Sequence, residues 1–439
     1  MISGTRKDGV IMKEQTNATK FFSSNPRLCQ GFHWAVNQAL AYVSDDAPVG
    51  PCYESALPGR DAFCMRDVSH QAIGAHFLGL APHNRSMMRT FARHIREERD
   101  FCSYWEITSE GLPAAVDYTD DSDFWYNLPA NFDVTCACSA LYDLTGDQGY
   151  LLEPVMADFH RLSAENYLRR WDRDKDGLVD RVDTDGRRGI ASYDEAHVFG
   201  YRVAADALSA QCAALAAVAR MYRLKGESGR AADFQAESER IAALYAKEWW
   251  NGAEKRFSTF LMKDGSFSTV NSGINAHMPL RCGIIKNPDQ ISGQLDYLIS
   301  IEPELNVEDR SYIPEILWRY GRDDDAMRIW LKMTSPDYKR REYPEVSFAA
   351  VDAIVCGYMG LRADAAANTL YTRSAAKDGE WAQILDAPVW GGCIDLMHEG
   401  KSASELTNRT GRTLLWKARL SGHTAILPVE PGETVRAEL

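Results

Sequence analysis

Along most of the chain, apolar residues recur at the 3.6-residue period of helices, in paired segments separated by short turns. The clearest stretch opens G-I-A-S-Y-D-E-A-H-V-F-G-Y-R at Gly189 and runs into an alanine-rich segment. There Leu208, Cys212, Leu215, Ala219 and Tyr222 repeat at 4-3-4-3 spacing, and the other faces are mostly alanine. This pattern predicts a helix able to pack on every side. A first helix is expected near Leu28–Val43. Helix–turn–helix units then recur: Asp67–Leu78 with Asn84–Arg99, Ala130–Leu144 with Gln148–Arg170, Arg202–Leu224 with Arg230–Trp249, Thr269–Cys282 with Pro288–Ser300, and Asp309–Tyr320 with Asp323–Lys332. Glu345–Met359 is a sixth leading helix.

In the third pair the second helix carries one stripe, Phe234, Ser238, Ile241, Tyr245 and Trp249, and is otherwise polar. Leading helices look more apolar than their partners. They therefore predict the inner ring of a double-layered helical barrel, with the second helices outside. The long returns between pairs gather at one end, beside the N-termini of the inner helices, whose free N–H groups and dipoles favour oxyanions and hydroxyls. After Gly360 the period shortens. Leu414, Trp416, Ala418 and Leu420 alternate on one face of T-L-L-W-K-A-R-L, which predicts a strand. The expected organisation is an irregular polar extension over 1–30, a barrel over 31–377 and an antiparallel β appendage over 378–439 packed on the barrel.

The 439 residues, 45% hydrophobic, suffice for a large core. A formal net charge of -13 argues against nucleic acid or an anionic membrane as partner and suits a neutral or cationic ligand. Eleven Trp and nineteen Tyr offer faces for sugar C–H surfaces, though each could equally serve core packing. Ten cysteines without a C-x-x-C pair predict reduced thiols and a cytoplasmic setting. The N-terminus lacks the apolar core of a signal peptide, and no run of about 18 apolar residues predicts a membrane span. An excised piece of a secreted protein would carry no such address either. Oligomeric state is not legible.

Three acidic groups fall on the returns at the predicted mouth. The first is Asp194 with Glu195, beside Tyr193 and His197. The second is Glu342 and Glu345 in R-R-E-Y-P-E-V-S-F. The third runs from Trp105-Glu106 to Asp117 and on through Asp121, Asp123, Trp125 and Asn127. Cleavage of a glycosidic bond needs two carboxyl groups, one protonated to serve the leaving oxygen and one to activate water or attack the anomeric carbon. Taken singly, Asp194 reads equally as a helix N-cap and Glu345 as a first-turn acid. Arg66, Asp67, His70 and Gln71 open another inner helix at that end and could bond sugar hydroxyls. Separately, Asp172, Asp174, Asp176, Gly177 and Asp180 have the D-x-D-x-D-G spacing of a calcium loop, with Asp183 at the twelfth place where glutamate is usual. No zinc, P-loop or dinucleotide fingerprint is present, and no cofactor is expected beyond a structural Ca²⁺ at that loop.

These residues resemble the six-hairpin glycosidase superfamily, which includes α-L-rhamnosidases, trehalases, glucoamylases and processing α-glucosidases. F-F-S-S-N-P-R-L-C-Q-G-F-H-W-A looks like the opening of rhamnosidase catalytic domains, and F-C-M-R-D-V-S-H-Q-A-I-G-A-H-F-L-G-L like their first sugar-contacting helix. A-S-Y-D-E-A-H is similar in place to the S-G-x-D motif of trehalases and processing glucosidases, and to the T-Y-D loop of bacterial β-glucosidases. E-Y-P-E-V-S-F lies where rhamnosidases carry their base. The likeness spans roughly 20–360.

The resemblance implies an all-α (α/α)6 toroid with a small C-terminal antiparallel β appendage. It implies an exo-acting glycoside hydrolase with Asp194 as acid ahead of Glu195, and Glu345 as base ahead of Glu342. Arg66, Asp67, His70, Trp105, Glu106, Asp121, Asp123, Trp125 and Asn127 would shape the subsite for an oligosaccharide or glycoside. The full S-G-x-D-x-S-x-R string is absent, so Asp194 is assigned as acid by position more than by pattern; the C-terminal base motif of trehalases is also absent, which leaves inversion, with Glu345 as base, ahead of retention, where Glu106, Asp121 or Asp123 would supply the nucleophile. A non-catalytic sugar-binding protein and a sugar lyase or epimerase are the alternatives.

Overall fold

The computed structural model describes residues 18–180, 188–196 and 200–439. Its helices are α1 (Pro26–Leu40), α2 (Met65–Phe77), α3 (Ala81–Arg93), α4 (Ala130–Thr145), α5 (Gly149–Leu152), α6 (Pro154–Leu162), α7 (Leu168–Trp171), α8 (Ala205–Leu224), α9 (Ser228–Glu248), α10 (Gly273–Arg281), α11 (Pro288–Ile301), α12 (Val307–Arg319), α13 (Asp323–Met333) and α14 (Pro344–Asp352). One wide turn, Ser163–Tyr167, joins α6 to α7, and another, Ala353–Tyr358, extends α14.

Helices α2, α4, α8, α10, α12 and α14 each pack on the next, and α14 packs back on α2, so six helices close a cycle. Sequence explains their place. Alanine spacing lets α8 be buried on nearly every face, whereas α9 buries only Ala231, Ser238, Ile241 and Tyr245. The closing contact depends on Gly74 of α2. A Cβ there would lie 2.1 Å from the Phe348 carbonyl oxygen of α14, so only glycine lets the two backbones meet.

Two sheets lie against this assembly. The five-stranded one is antiparallel, in the order Lys20–Ser23, Trp381–Val389, Gly392–Glu399, Ala403–Arg409 and Thr434–Glu438. The other orders Arg362–Asp364, Thr369–Arg373, Leu414–Leu420 and His423–Val429, with a parallel pairing at its centre. Several expectations are thereby revised. The stretch expected to be irregular near the N-terminus contributes a strand, with Phe21 buried against Phe32 and Tyr358. Strands also occur before 378. Arg202 belongs to a strand, Tyr201–Ala204, rather than to the helix that follows.

The long returns pair with one another too. Ala62–Cys64 pairs with Glu106–Thr108, Tyr126–Asn127 with Gly189–Ile190, and Tyr201–Ala204 with Phe260–Met262. Buried extended chain must satisfy its own N–H and C=O groups, and these short ladders do so. The architecture is thus a helical ring with strand-laced loops and two sheets, broader than the all-α label.

Candidate active site

A cavity of about 930 Å³ opens at the N-terminal ends of α2, α10, α12 and α14. The helices deliver Arg66, Asp67, Gly273, Asp309, Tyr312 and Glu345; the loops deliver Arg60, Trp105, Glu106, Asp117, Trp125, Tyr193, Asp194 and Glu195.

Glu345 is the second residue of α14 and is 1% exposed. The Tyr312 hydroxyl donates to its Oε1 at 2.5 Å, and Arg66 Nε lies 3.8 Å from the same oxygen. Arg66 also holds Asp67 Oδ1 at 3.2 Å and lies over the Tyr193 ring. Burial, reinforced by the Asp67 charge, pushes the Glu345 carboxyl up to about 8. At neutral pH it keeps its proton.

Asp194, 8% exposed, sits on a loop fixed from below. Its N–H donates to Ser192 Oγ, and its Oδ1 accepts from the Ala196 N–H, both at 3.0 Å. Asp206, in the first turn of α8, accepts from the Ser192 hydroxyl at 2.9 Å and from the Tyr193 N–H at 2.6 Å, and burial pushes it up to about 7. Asn275 of α10 accepts the Asp206 N–H at 2.9 Å. Two inner helices therefore hold the loop. On the opposite wall burial and Asp117 push Glu106 up to about 7, with Arg60 3.2 Å from its Oε2.

Among the residues singled out in the sequence, Arg66, Asp67, Trp105, Glu106, Trp125, Asp194, Glu195 and Glu345 line this cavity together. Five others do not. His70 sits behind the wall: its Nε2 is 3.2 Å from Asp133, which in turn accepts the Tyr193 hydroxyl at 2.7 Å. Burial, then Arg281, lowers His70 to about 4, so it is neutral. Asp121 is drawn off by Arg99 at 2.6 Å and Asp123 by Arg188 at 2.8 Å. Asn127 is buried in its strand. Glu342 is exposed outside, because α14 begins after it and turns only Glu345 inward.

Asp172, Asp174, Asp176 and Asp180 lie together but not on the cavity. Asp183 and His197 lie outside the described residues. Sequence reading missed Tyr312, Asp309, Glu308 and Tyr343, although Glu308 and Asp309 stand in the first turn of an inner helix at the same end. The ten cysteines are free, and among the described residues no helix is long and apolar enough to cross a membrane.

The perturbed acids set a pH dependence of stability. Folded Glu345 holds its proton to about 8, and Glu106 and Asp206 to about 7, far above the roughly 4 of unfolded carboxyls. Between those limits these three groups bind more protons when folded, so they stabilise the chain fully below about pH 4 and lose that contribution as pH rises through 7 to 8, while buried histidines such as His70 act oppositely between about 4 and 6.5. Glu315, held down to about 2 by Arg319 and Arg362 despite its burial, works oppositely and matters only as pH falls below about 4. The Glu345 contribution is therefore isolated by difference: the Tm advantage of the wild type over Glu345→Gln should shrink as pH rises from 5.5 to 8.5. A difference that stays constant or grows over this interval would contradict the protonated state of Glu345.

No family model matches the chain, and no curated protein does. Solved structures do. A GH78 family rhamnosidase of Bacillus sp. GL1 superposes with a TM-score of 0.61 at 14% identity, over 90% of this chain and 41% of that one. An α-L-rhamnosidase of Dictyoglomus thermophilum gives 0.64 at 13% identity, over 96% and 50%. A kojibiose phosphorylase from the human microbiome, so described provisionally, gives 0.64 at 10% identity, over 96% and 63%. The fold is similar to that of glycosidase-fold proteins, and the chain spans about half the length of these structures.

Proposed function

We propose that this chain is an exo-acting glycoside hydrolase domain built on an (α/α)6 toroid, cleaving a terminal sugar with inversion. The observation that carries the reading is the pairing, in one cavity, of a buried carboxyl that keeps its proton, Glu345, with the carboxylate-bearing loop of Asp194. Glu345 is the acid that protonates the leaving oxygen, and Asp194 is the base that activates water. This reverses the roles the sequence resemblance implies. Trp105 and Trp125 offer ring faces to the sugar, and Asp67, Glu106 and Asp117 accept its hydroxyls.

Lining charge supports water rather than phosphate as the second substrate. Nine carboxyl residues line the cavity against three arginines. Each arginine already meets a carboxylate: Arg60 with Glu106, Arg66 with Asp67, and Arg340 with Glu308 at 2.7 Å. A phosphate or a uronate would meet net negative charge there.

Real-time NMR of a panel of aryl glycosides tests the proposal, with α-L-rhamnoside, α- and β-glucoside, galactoside, mannoside and uronides, each with and without inorganic phosphate. One neutral member should yield free sugar of inverted configuration at a rate indifferent to phosphate. A sugar 1-phosphate would refute hydrolysis, and an unsaturated product would mark a lyase. Binding without turnover would favour a sugar-binding protein.

A further inference from the structure

Ring contacts hold Tyr312 of α12 in one orientation. The Arg281 guanidinium lies 4.4 Å from its ring centroid and donates to the His70 carbonyl at 3.1 Å. The His70 ring meets the phenol edge-on, centroids 5.1 Å apart, and the tilted His277 ring lies 5.7 Å away. Helices α2 and α10 thus pack the buried phenol from two sides, and its hydroxyl donates to Glu345 Oε1 at 2.5 Å. Burial, then the Glu345 charge, pushes Tyr312 well above the usual phenol range, so it remains a donor.

The two oxygens of Glu345 are unequal. Oε1 faces the Tyr312 hydroxyl and, 3.8 Å away, Arg66 Nε. Oε2 is buried and accepts no hydrogen bond from the described residues. A protonated carboxyl has one oxygen that accepts and one that carries the hydrogen. A hydrogen on Oε1 would take the acceptor from the Tyr312 hydroxyl, whereas a hydrogen on Oε2 leaves that bond intact. Asp67, in contact with the same carboxyl, can accept this hydrogen but supplies none.

We propose that Tyr312 is a positioning residue for the hydrolysis proposed above: by holding Oε1 as acceptor, it places the acidic hydrogen on Oε2, the oxygen that serves the leaving group. Proton placement follows from the side-chain geometry; its catalytic use rests on the hydrolase reading. In the step, the glycosidic C–O bond breaks, and the leaving oxygen keeps its electron pair and takes the hydrogen from Oε2. Water forms the new bond to the anomeric carbon and gives its proton to Asp194. Glu345 becomes a carboxylate, and its bond from Tyr312 strengthens as it becomes charge-assisted. The other groups facing Glu345 are Asp67 and Arg66, whose charges oppose each other, and Tyr343, His70 and His277, which burial keeps neutral.

Infrared titration of the whole chain tests proton placement without sugar. The carbonyl stretch lost in Glu345→Gln identifies the protonated carboxyl, and in the wild type it should vanish with a midpoint at about pH 8. In Tyr312→Phe, checked for folding by circular dichroism, the stretch should move to higher wavenumber because the carbonyl oxygen loses its donor. Its midpoint should rise by about one pH unit, since the bond removed favoured the ionised form. Asp67→Asn should move the midpoint the other way, which general loosening of the fold would not do. On an active glycoside Tyr312→Phe should lose about tenfold in kcat with an alcohol leaving group and much less with dinitrophenolate, at little cost in KM. A folded Tyr312→Phe with unmoved stretch and midpoint would overturn the proposal. So would a wild-type stretch at the frequency of a carbonyl without a hydrogen bond, whether or not the variant folds. A shifted stretch without turnover of any glycoside would support the proton placement and refute the hydrolase reading instead.

Discussion

Glu345→Gln is expected to lose about 10²- to 10⁴-fold in kcat on a glycoside with a poor leaving group such as an alcohol, the usual contribution of a general acid. The same variant should retain most of its rate on a dinitrophenyl glycoside, whose phenolate leaves without protonation. This contrast follows from the Glu345 environment. A carboxyl 1% exposed, beside Asp67 and bonded by Tyr312, holds its proton to about pH 8 and can give it up to the leaving oxygen. For the wild type, kcat/KM should fall above about pH 8 as this proton is lost, and the variant should lack that alkaline limb. Equal loss on both leaving groups would return the base role to Glu345 and the acid role to Asp194.

Asp194→Asn should behave in the complementary way. It should lose about 10³-fold or more on good and poor leaving groups alike, because water must still be activated whichever group departs. Azide should restore part of the rate and yield a glycosyl azide of inverted configuration, since a small anion attacks the anomeric carbon without a base. Glu195→Gln should stay within a few-fold of wild type. Glu195 is exposed at the cavity rim, whereas the Asp194 loop is clamped by Asp206 and Asn275. A Glu195 variant as impaired as Asp194→Asn would shift the base by one residue.

Some of this was legible in the sequence, for physical reasons. A helix lined with alanine on every face has few places to go except an inner layer, and α8 is buried there. Asp194 and Glu345 could be assigned to one end because one lies on the return that leads into an inner helix and the other at the start of one. The strand Lys20–Ser23 was not legible, because its partner runs through Leu385 and no local period announces a pairing across the whole chain. Asp121 and Asp123 looked like site residues among aromatics, but Arg99 and Arg188 claim them, and both pairings are tertiary. The division of labour between acid and base was hidden for the same reason. It depends on Asp67, Arg66 and Tyr312 meeting Glu345 across the ring, and three helices contribute to that meeting.

The most direct test of the site compares sugar release by the wild type with that of the double variant Asp194→Asn/Glu345→Gln, on whichever aryl glycoside the panel identifies. Both proteins would be checked for equal folding by circular dichroism. The site assignment predicts that the double variant releases no sugar above the uncatalysed rate while still binding the glycoside. Turnover by the double variant at the wild-type rate would mean that this cavity is not where the bond is broken.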